Sequence, residues 1–155
     1  LDDVDHKILD LLIDNSRIPF TDIAKKLLIS AGTVHVRVKK MEEFGIIQGS
    51  SLALDYKKLG YTFIAYIGIF LEKTHLTNFV LDKLKSIPYV TVAHITTGRF
   101  NIFCKIRSKN TNHAKEIIFM IDDIDGVSRT ETMISLEESI NDKKRLMHKI
   151  FNEIK

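Results

Sequence analysis

At 155 residues the chain is too long for a lone three-helix module and fits one or two small domains. A hydrophobic content of 45% supports a core, while a formal net charge of +3 is too small to imply a generally sticky basic protein. The single cysteine, Cys104, excludes an internal disulfide and suits a reducing cytosol. No apolar run reaches the roughly 18 residues of a membrane span.

The first half has helical period. In residues 2–14, Val4, Ile8, Leu11 and Leu12 share one stripe, and acids fill the first turn, where the helix dipole favours them. His6 falls on the polar side and reads as solvated. Asn15–Ser16 ends this helix. Pro19 is placed to open the next, where a missing amide costs little. Ile23, Ala24 and Leu27 are its buried positions. Ser30 stands at an N-cap position and Gly45 at a left-handed stop. Between them Val34, Val38 and Met41 form a second buried stripe.

At about 100° per residue, the opposite face of that helix holds Gly32, Val36, Lys39 and Lys40, flanked by His35 and Arg37. No acid occurs from Ala31 to Met41. Two helices, a tight turn, and a second helix apolar on one side and basic on the other form a helix-turn-helix pattern. An ordinary solvated charged face is the alternative. Residues 1–60 carry nine basic and nine acidic side chains, so the positive charge is local and the expected DNA contact is an oriented one. The expected DNA-facing set is Ser30, Gly32, Thr33, His35, Val36, Arg37, Lys39 and Lys40, with Arg37 nearer the phosphate backbone. After Gly45, the stretch IIQGSSLAL predicts a short strand turning at Gly49–Ser50, a wing. Tyr56–Gly60 reads as a hinge.

The second half changes period. Residues 61–72 read as a strand, 75–87 as a helix stopped by Pro88, and 90–97 and 101–107 as a hairpin. Residues 110–124 read as a helix ended by Gly126, and 127–136 as the last strand. The order β-α-β-β-α-β is that of a ferredoxin-like half-sandwich, whose helices cover one sheet face. The first strand is apolar on both faces, so the other face needs a second cover, and a second copy of the sheet is the simplest. A dimer is therefore expected, and lysine at Ile67 or Ile69 is expected to disrupt it. Cys104 lies in a strand pattern and reads as a buried small hydrophobe.

Taken together, LDDVDHKIL, DIAKKLLIS, RVKKMEEFGII, KLGY, TTGRFN and TETMI, in this order and spacing, resemble the Lrp/AsnC (feast-or-famine) regulators over residues 1–136. The resemblance implies an α+β chain: an N-terminal winged helix-turn-helix with hinge (1–60), and a ferredoxin-like βαββαβ domain for dimerisation and effector binding (61–136). Residues 137–155 then form an added C-terminal helical extension, with Ile140, Met147, Ile150 and Ile154 at helical spacing. A cap over the chain's own domain and an assembly contact are its two readings. The resemblance also implies homodimers assembling to octamers, binding double-stranded DNA and a small-molecule effector, usually an amino acid, between dimers. The effector pocket it implies here is Thr96, Thr97, Gly98, Arg99, Asn101, Thr130, Glu131 and Thr132.

This chain departs from the family pattern in places. Leu28 stands where the motif's turn often has glycine, and Val36 where an arginine is frequent. The hairpin reads Gly98-Arg99-Phe100-Asn101 where Gly-acid-aromatic-Asp is usual. Arg99 would suit a carboxylate or phosphate and Glu131 an ammonium; the alternative is a solvated Arg99 and an Asn101 that only stabilises the turn.

No metal site, cofactor or catalytic residue is expected: the histidines lack close spacing, no Cys-x-x-Cys exists, and no phosphate-loop or nucleophile motif appears. Asp122, Asp123 and Asp125 read as a solvated turn. His94, in a strand leading to the hairpin, is either buried and neutral or in the pocket. A cytoplasmic transcriptional regulator responding to a metabolite, not an enzyme, is the favoured function. The alternatives are an architectural DNA binder without effector, and an enzyme resembling the siroheme decarboxylases on the same fold.

Overall fold

The structure is a computed structural model and describes residues 1–153. Ile154, counted above in the C-terminal stripe, lies outside the described residues. The chain forms two compact units, residues 1–53 with 139–155, and residues 54–138.

The first unit begins with α1 (Asp3–Asp14), α2 (Phe20–Leu27) and α3 (Ala31–Glu43). Asp2 and Asp5 form a capping box at the start of α1, each carboxylate accepting the other's backbone amide. Pro19 is the N-cap of α2, and Ser30 caps α3 by accepting the Thr33 amide at 3.0 Å. The far end of α3 closes in a Schellman motif: Gly45, at φ 72°, donates to the Glu42 carbonyl, and Ile46 donates to Met41. Ile8, Ile23, Ala24, Val34, Val38 and Met41 are buried together, one stripe from each helix as expected.

The wing is not present as a strand: residues 46–60 carry no strand, and Leu52 and Leu54 are exposed. A short strand with no neighbour leaves its amides and carbonyls unpaired, and its weak alternation offers little burial in return. The same unit ends in α6 (Lys144–Glu153), which packs on α1.

In the second unit, residues 56–60 form compact turns, with the Asp55 carboxylate accepting the Lys57 amide. Then come β1 (Phe63–Leu71), a 3-10 turn, α4 (Thr77–Lys85), β2 (Val90–Ile95), β3 (Ile102–Ser108), α5 (Thr111–Asp122) and β4 (Val127–Ile134). The sheet is antiparallel with order β2-β3-β1-β4, the ferredoxin-like arrangement. Its covered face carries Ala65, Ile67, Ile69, Ile102, Cys104 and Ile106 against Val80 and Leu84 of α4 and Ile117 and Ile121 of α5.

The parity of β1 corrects one expectation. Ile67 and Ile69 are fully buried under the helices, so lysine there would break the fold of this unit rather than test a dimer. The open face carries Tyr66, Gly68 and Phe70, with Phe103 of β3 stacked on Tyr66 at 5.7 Å between ring centroids. After β4 the chain comes back beside β3, where Glu138 meets Lys105 at 2.8 Å.

Candidate functional site

The exposed side of α3 is the first site. Gly32, Thr33, His35, Val36, Lys39 and Lys40 are exposed, while Val34, Val38 and Met41 behind them are buried. Val36 is 64% exposed, too much for a valine with only a packing role in the single chain. Ser30 and Thr33 share a hydroxyl–hydroxyl hydrogen bond of 2.8 Å at the helix start, so the two are oriented as a pair. The His35 ring lies beside Phe20 at 6.0 Å, and Lys40 lies over the Phe44 ring at 5.9 Å.

Arg37 is engaged within the unit. Its guanidinium donates to both carboxylate oxygens of Asp2, at 2.7 and 2.8 Å, and to Asp5 at 3.1 Å, clamping α3 to the start of α1. The Arg37 hydrogen bond, followed by that of the Asp5 amide, draws the Asp2 carboxyl down to about 2. A depressed carboxyl stabilises above its ordinary value near 4, and the contribution is lost as pH falls towards 2. The clamp is therefore intact at neutral pH, and Arg37 reaches a phosphate only by sharing itself with two aspartates.

The second site is the β2–β3 hairpin and the adjacent end of β4. Thr96 donates its hydroxyl to the Phe100 carbonyl at 2.7 Å, and the Asn101 side chain accepts the Leu71 amide at 3.0 Å. Thr96 thus closes the hairpin on itself, and Asn101, whose amide also donates to the Ile69 carbonyl, fixes it to the end of β1. Phe100 is thereby folded over Gly68, where a Cβ would overlap its ring. Arg99 donates to Glu131 at 2.5 Å, and Arg129 lies 3.9 Å from the same carboxylate. Both guanidiniums lie over Phe70, Arg129 at 4.1 Å and Arg99 at 5.6 Å from the ring centroid. The Arg99 hydrogen bond holds the Glu131 carboxyl below its ordinary value.

The expected pocket residues thus divide. Glu131 pairs with Gly68 of β1 and shares the open face with Arg99. Thr130 and Thr132 pair with Ile69 and Ile67 and belong to the helix side, where Thr130 donates to Asp122 of α5 at 2.8 Å. Thr97 and Gly98 form the exposed tip, with Gly98 at φ 92°. His94, one of whose two expected placements was burial, is exposed on the edge strand, paired with Phe103. Arg129, Phe70 and Gly68 were missed from the sequence. Strand parity was the available signal, since Phe70, Glu131 and Arg129 share a face once the register is known.

Cys104 is buried, and burial pushes its thiol up to about 12, which leaves no thiolate for chemistry. Among the described residues no group of His, Cys, Asp and Glu is placed to hold a metal ion, and no helix is long and apolar enough to cross a membrane.

A family profile for the AsnC-type helix-turn-helix domain matches residues 1–42, and one for the Lrp/AsnC ligand binding domain matches residues 64–144. The chain belongs to the Lrp/AsnC family. It is a DNA-binding transcriptional regulator on the fold expected of that family. Among Lrp/AsnC relatives, the regulatory protein AsnC of Haemophilus influenzae is 38% identical over 141 residues, covering 90% of this chain and 94% of that protein. The structure of AsnC from Escherichia coli aligns with a TM-score of 0.89 at 36% identity, covering 91% of this chain and 95% of that one. A transcriptional regulator of Neisseria meningitidis, solved in complex with L-Met, aligns with a TM-score of 0.87 over 93% of this chain and 95% of its own; at 19% identity this likeness shows the fold alone. The Lrp/AsnC match stops at residue 144, so nearly all of α6 lies beyond it.

Proposed function

We propose that this regulator reads its operators through the exposed face of α3, acts as a homodimer in the cytoplasm, and answers to an amino acid held at the hairpin. The observation that carries the DNA reading is the division of α3: one stripe is fully enclosed while Gly32, Thr33, Val36, Lys39 and Lys40 stand clear of the fold. Gly32 permits close backbone approach, Thr33 can donate to a phosphate, and Lys40 supplies charge. Val36 matches a thymine methyl and offers nothing to a guanine edge. Binding sites selected from random DNA are expected to carry A·T at the position Val36 meets, and Val36→Arg is expected to change that base. Lys40→Ala is expected to weaken all sequences alike and lower the salt slope by about 1. The same motif recovered with Val36→Arg would mean that α3 docks in another way, and no motif at all would favour an architectural binder.

For the effector, Glu131 offers an acceptor for an ammonium, and Arg99 and Arg129 offer donors for carboxylates. Two cations around one anion leave a positive surplus, which favours a ligand with an acidic or polar side chain over leucine. The Lrp/AsnC ligand binding domain match supports a small-molecule effector, and the same fold holds L-Met in the Neisseria protein. A hydrogen bond to a charged group is worth about 1.5–3 kcal/mol, so Arg129→Ala should weaken an acidic ligand by roughly tenfold or more. Calorimetry with the twenty amino acids tests this: tight leucine binding, unchanged in Arg99→Ala and Arg129→Ala, overturns both the preference and the site. A Soret band in the purified protein would favour the reading as an enzyme resembling the siroheme decarboxylases instead.

A further inference from the structure

The last strand of the ligand-binding domain is followed by a helix that belongs to the other unit. β4 ends at Ile134 and Glu138 is held by Lys105 of β3, yet α6 packs on α1 of the helix-turn-helix unit. Once Glu138 is held, residues 139–143 span no more than about 18 Å. The two units are therefore joined by the chain at 53–54 and again at 138–139, but the second joint restrains them only while α6 stays on α1.

What holds α6 there is a charged contact with little apolar support. Met147 and Phe151 are half-buried, no residue of α6 is fully buried, and Leu146 is 66% exposed. His148 lies between two carboxylates of α1, with Nδ1 2.6 Å from Asp10 Oδ1 and Nε2 3.2 Å from Asp14 Oδ1. An ionised carboxylate only accepts, so both ring nitrogens must donate, and only the imidazolium satisfies both bonds. Other charged groups lie on the same elements, and at the start of α6 the Asp142 carboxylate accepts the Lys144 amide at 3.0 Å. On α1, Lys7 turns its ammonium to Asp3 at 2.7 Å. On α6, Lys144 reaches the Asp14 carbonyl at 3.5 Å and Lys149 pairs with Glu153 at 3.4 Å, while Arg145 is exposed.

We propose that α6 is a proton-sensitive second tether: with His148 charged between Asp10 and Asp14 it stays on α1 and restrains the DNA-binding unit, and when His148 is neutral α6 is released. The Asp10 hydrogen bond, and after it the field of Asp14, hold the imidazolium above the ordinary histidine value against partial desolvation. A raised value stabilises fully below the ordinary 6.5, and the contribution is lost as pH rises through the raised value. Docking is therefore tight below the ordinary histidine value and loosens as pH rises above it. The proposal does not depend on which effector or operator the protein uses.

Hydrogen exchange by mass spectrometry on the full chain tests it, with labelling times corrected for the intrinsic pH dependence of exchange. Uptake in the peptide 144–153 is expected to rise by about threefold or more between about pH 6 and about pH 8.5, with little change in α5. His148→Gln should show the high uptake at both pH values, and His148→Lys, permanently charged, the low uptake at both. If the lysine does not seat, Asp10→Asn with Asp14→Asn should still raise uptake at about pH 6. Wild-type uptake that is equal at both pH values, or a His148→Gln protein as protected as wild type in mild acid, overturns the proposal.

Discussion

Leu28 turns the chain between α2 and α3 at φ 59° and ψ 43°, with its side chain 91% exposed. An L-residue there costs roughly 1–2 kcal/mol, and nothing in the single chain offsets it. Leu28→Gly should relieve the strain, less the extra freedom glycine has when unfolded, for a net gain of about 0.5–1 kcal/mol. Urea unfolding would read this as a higher midpoint at unchanged slope; a lower midpoint would mean that the leucine side chain has a partner. The family resemblance put Leu28 where the motif's turn often has glycine, but whether the turn stays left-handed there was settled only by the structure. The sequence did not show where Arg37 turns. On helical geometry Arg37 flanks the basic face, and only the fold brings Asp2 and Asp5, 35 and 32 residues away in sequence, within its reach. Long-range ion pairs leave no periodic trace.

At the scale of elements, the helices and strands were legible because period 3.6 and period 2 are strong in this chain. Most boundaries moved by only a few residues, and the strand order followed from the β-α-β-β-α-β pattern; the exception is the extension expected from residue 137, whose helix begins only at Lys144 and leaves Ile140 outside it and exposed. The parity of the strands was less accessible. Thr130, Glu131 and Thr132 are neighbours in sequence, but the pleat sends the middle one to the face opposite its flanks. The wing failed for a different reason, since a strand is a property of a pair and residues 46–60 have none. The glycine in β1 is the element's most constrained position. A methyl at Gly68 overlaps the Phe100 ring, so Gly68→Ala should cost about 1–3 kcal/mol by overpacking. In a Phe100→Ala background the same change should cost almost nothing. Thermal unfolding of the two singles and the double decides it, and additive costs would mean that the ring does not sit in the glycine notch.

Across the whole molecule, the open sheet face of the ligand-binding unit is the surface that bears on assembly. Tyr66 and Phe103 are half-buried there, and Met133 is 42% exposed. A second copy would cover them, in keeping with the homodimer proposed above. Tyr66→Lys and Met133→Lys should then leave folded protein of lower mass by light scattering, since a lysine shut into a dry interface costs several kcal/mol. Folded variants of unchanged mass would remove this face from the assembly. The partition of the chain was not legible at this scale: amphipathic spacing announced a helix after residue 137, but no periodicity tells which unit a terminal helix joins. In the proposal above that choice turns on Asp10, Asp14 and His148, far apart in sequence.

Cys104 gives the molecule a stopwatch. It is the chain's only thiol, it is 1% exposed, and it sits under α4 and α5 in the centre of the sheet. A thiol reagent cannot reach it without parting the helices from the sheet, so each labelling event records one opening of the ligand-binding domain. The reaction rate, divided by that of the unfolded chain, is the fraction of time this domain spends open, read without a residue changed. A ligand that binds the closed domain must slow that clock by the factor its own affinity and concentration dictate, and one that leaves the rate untouched does not bind there.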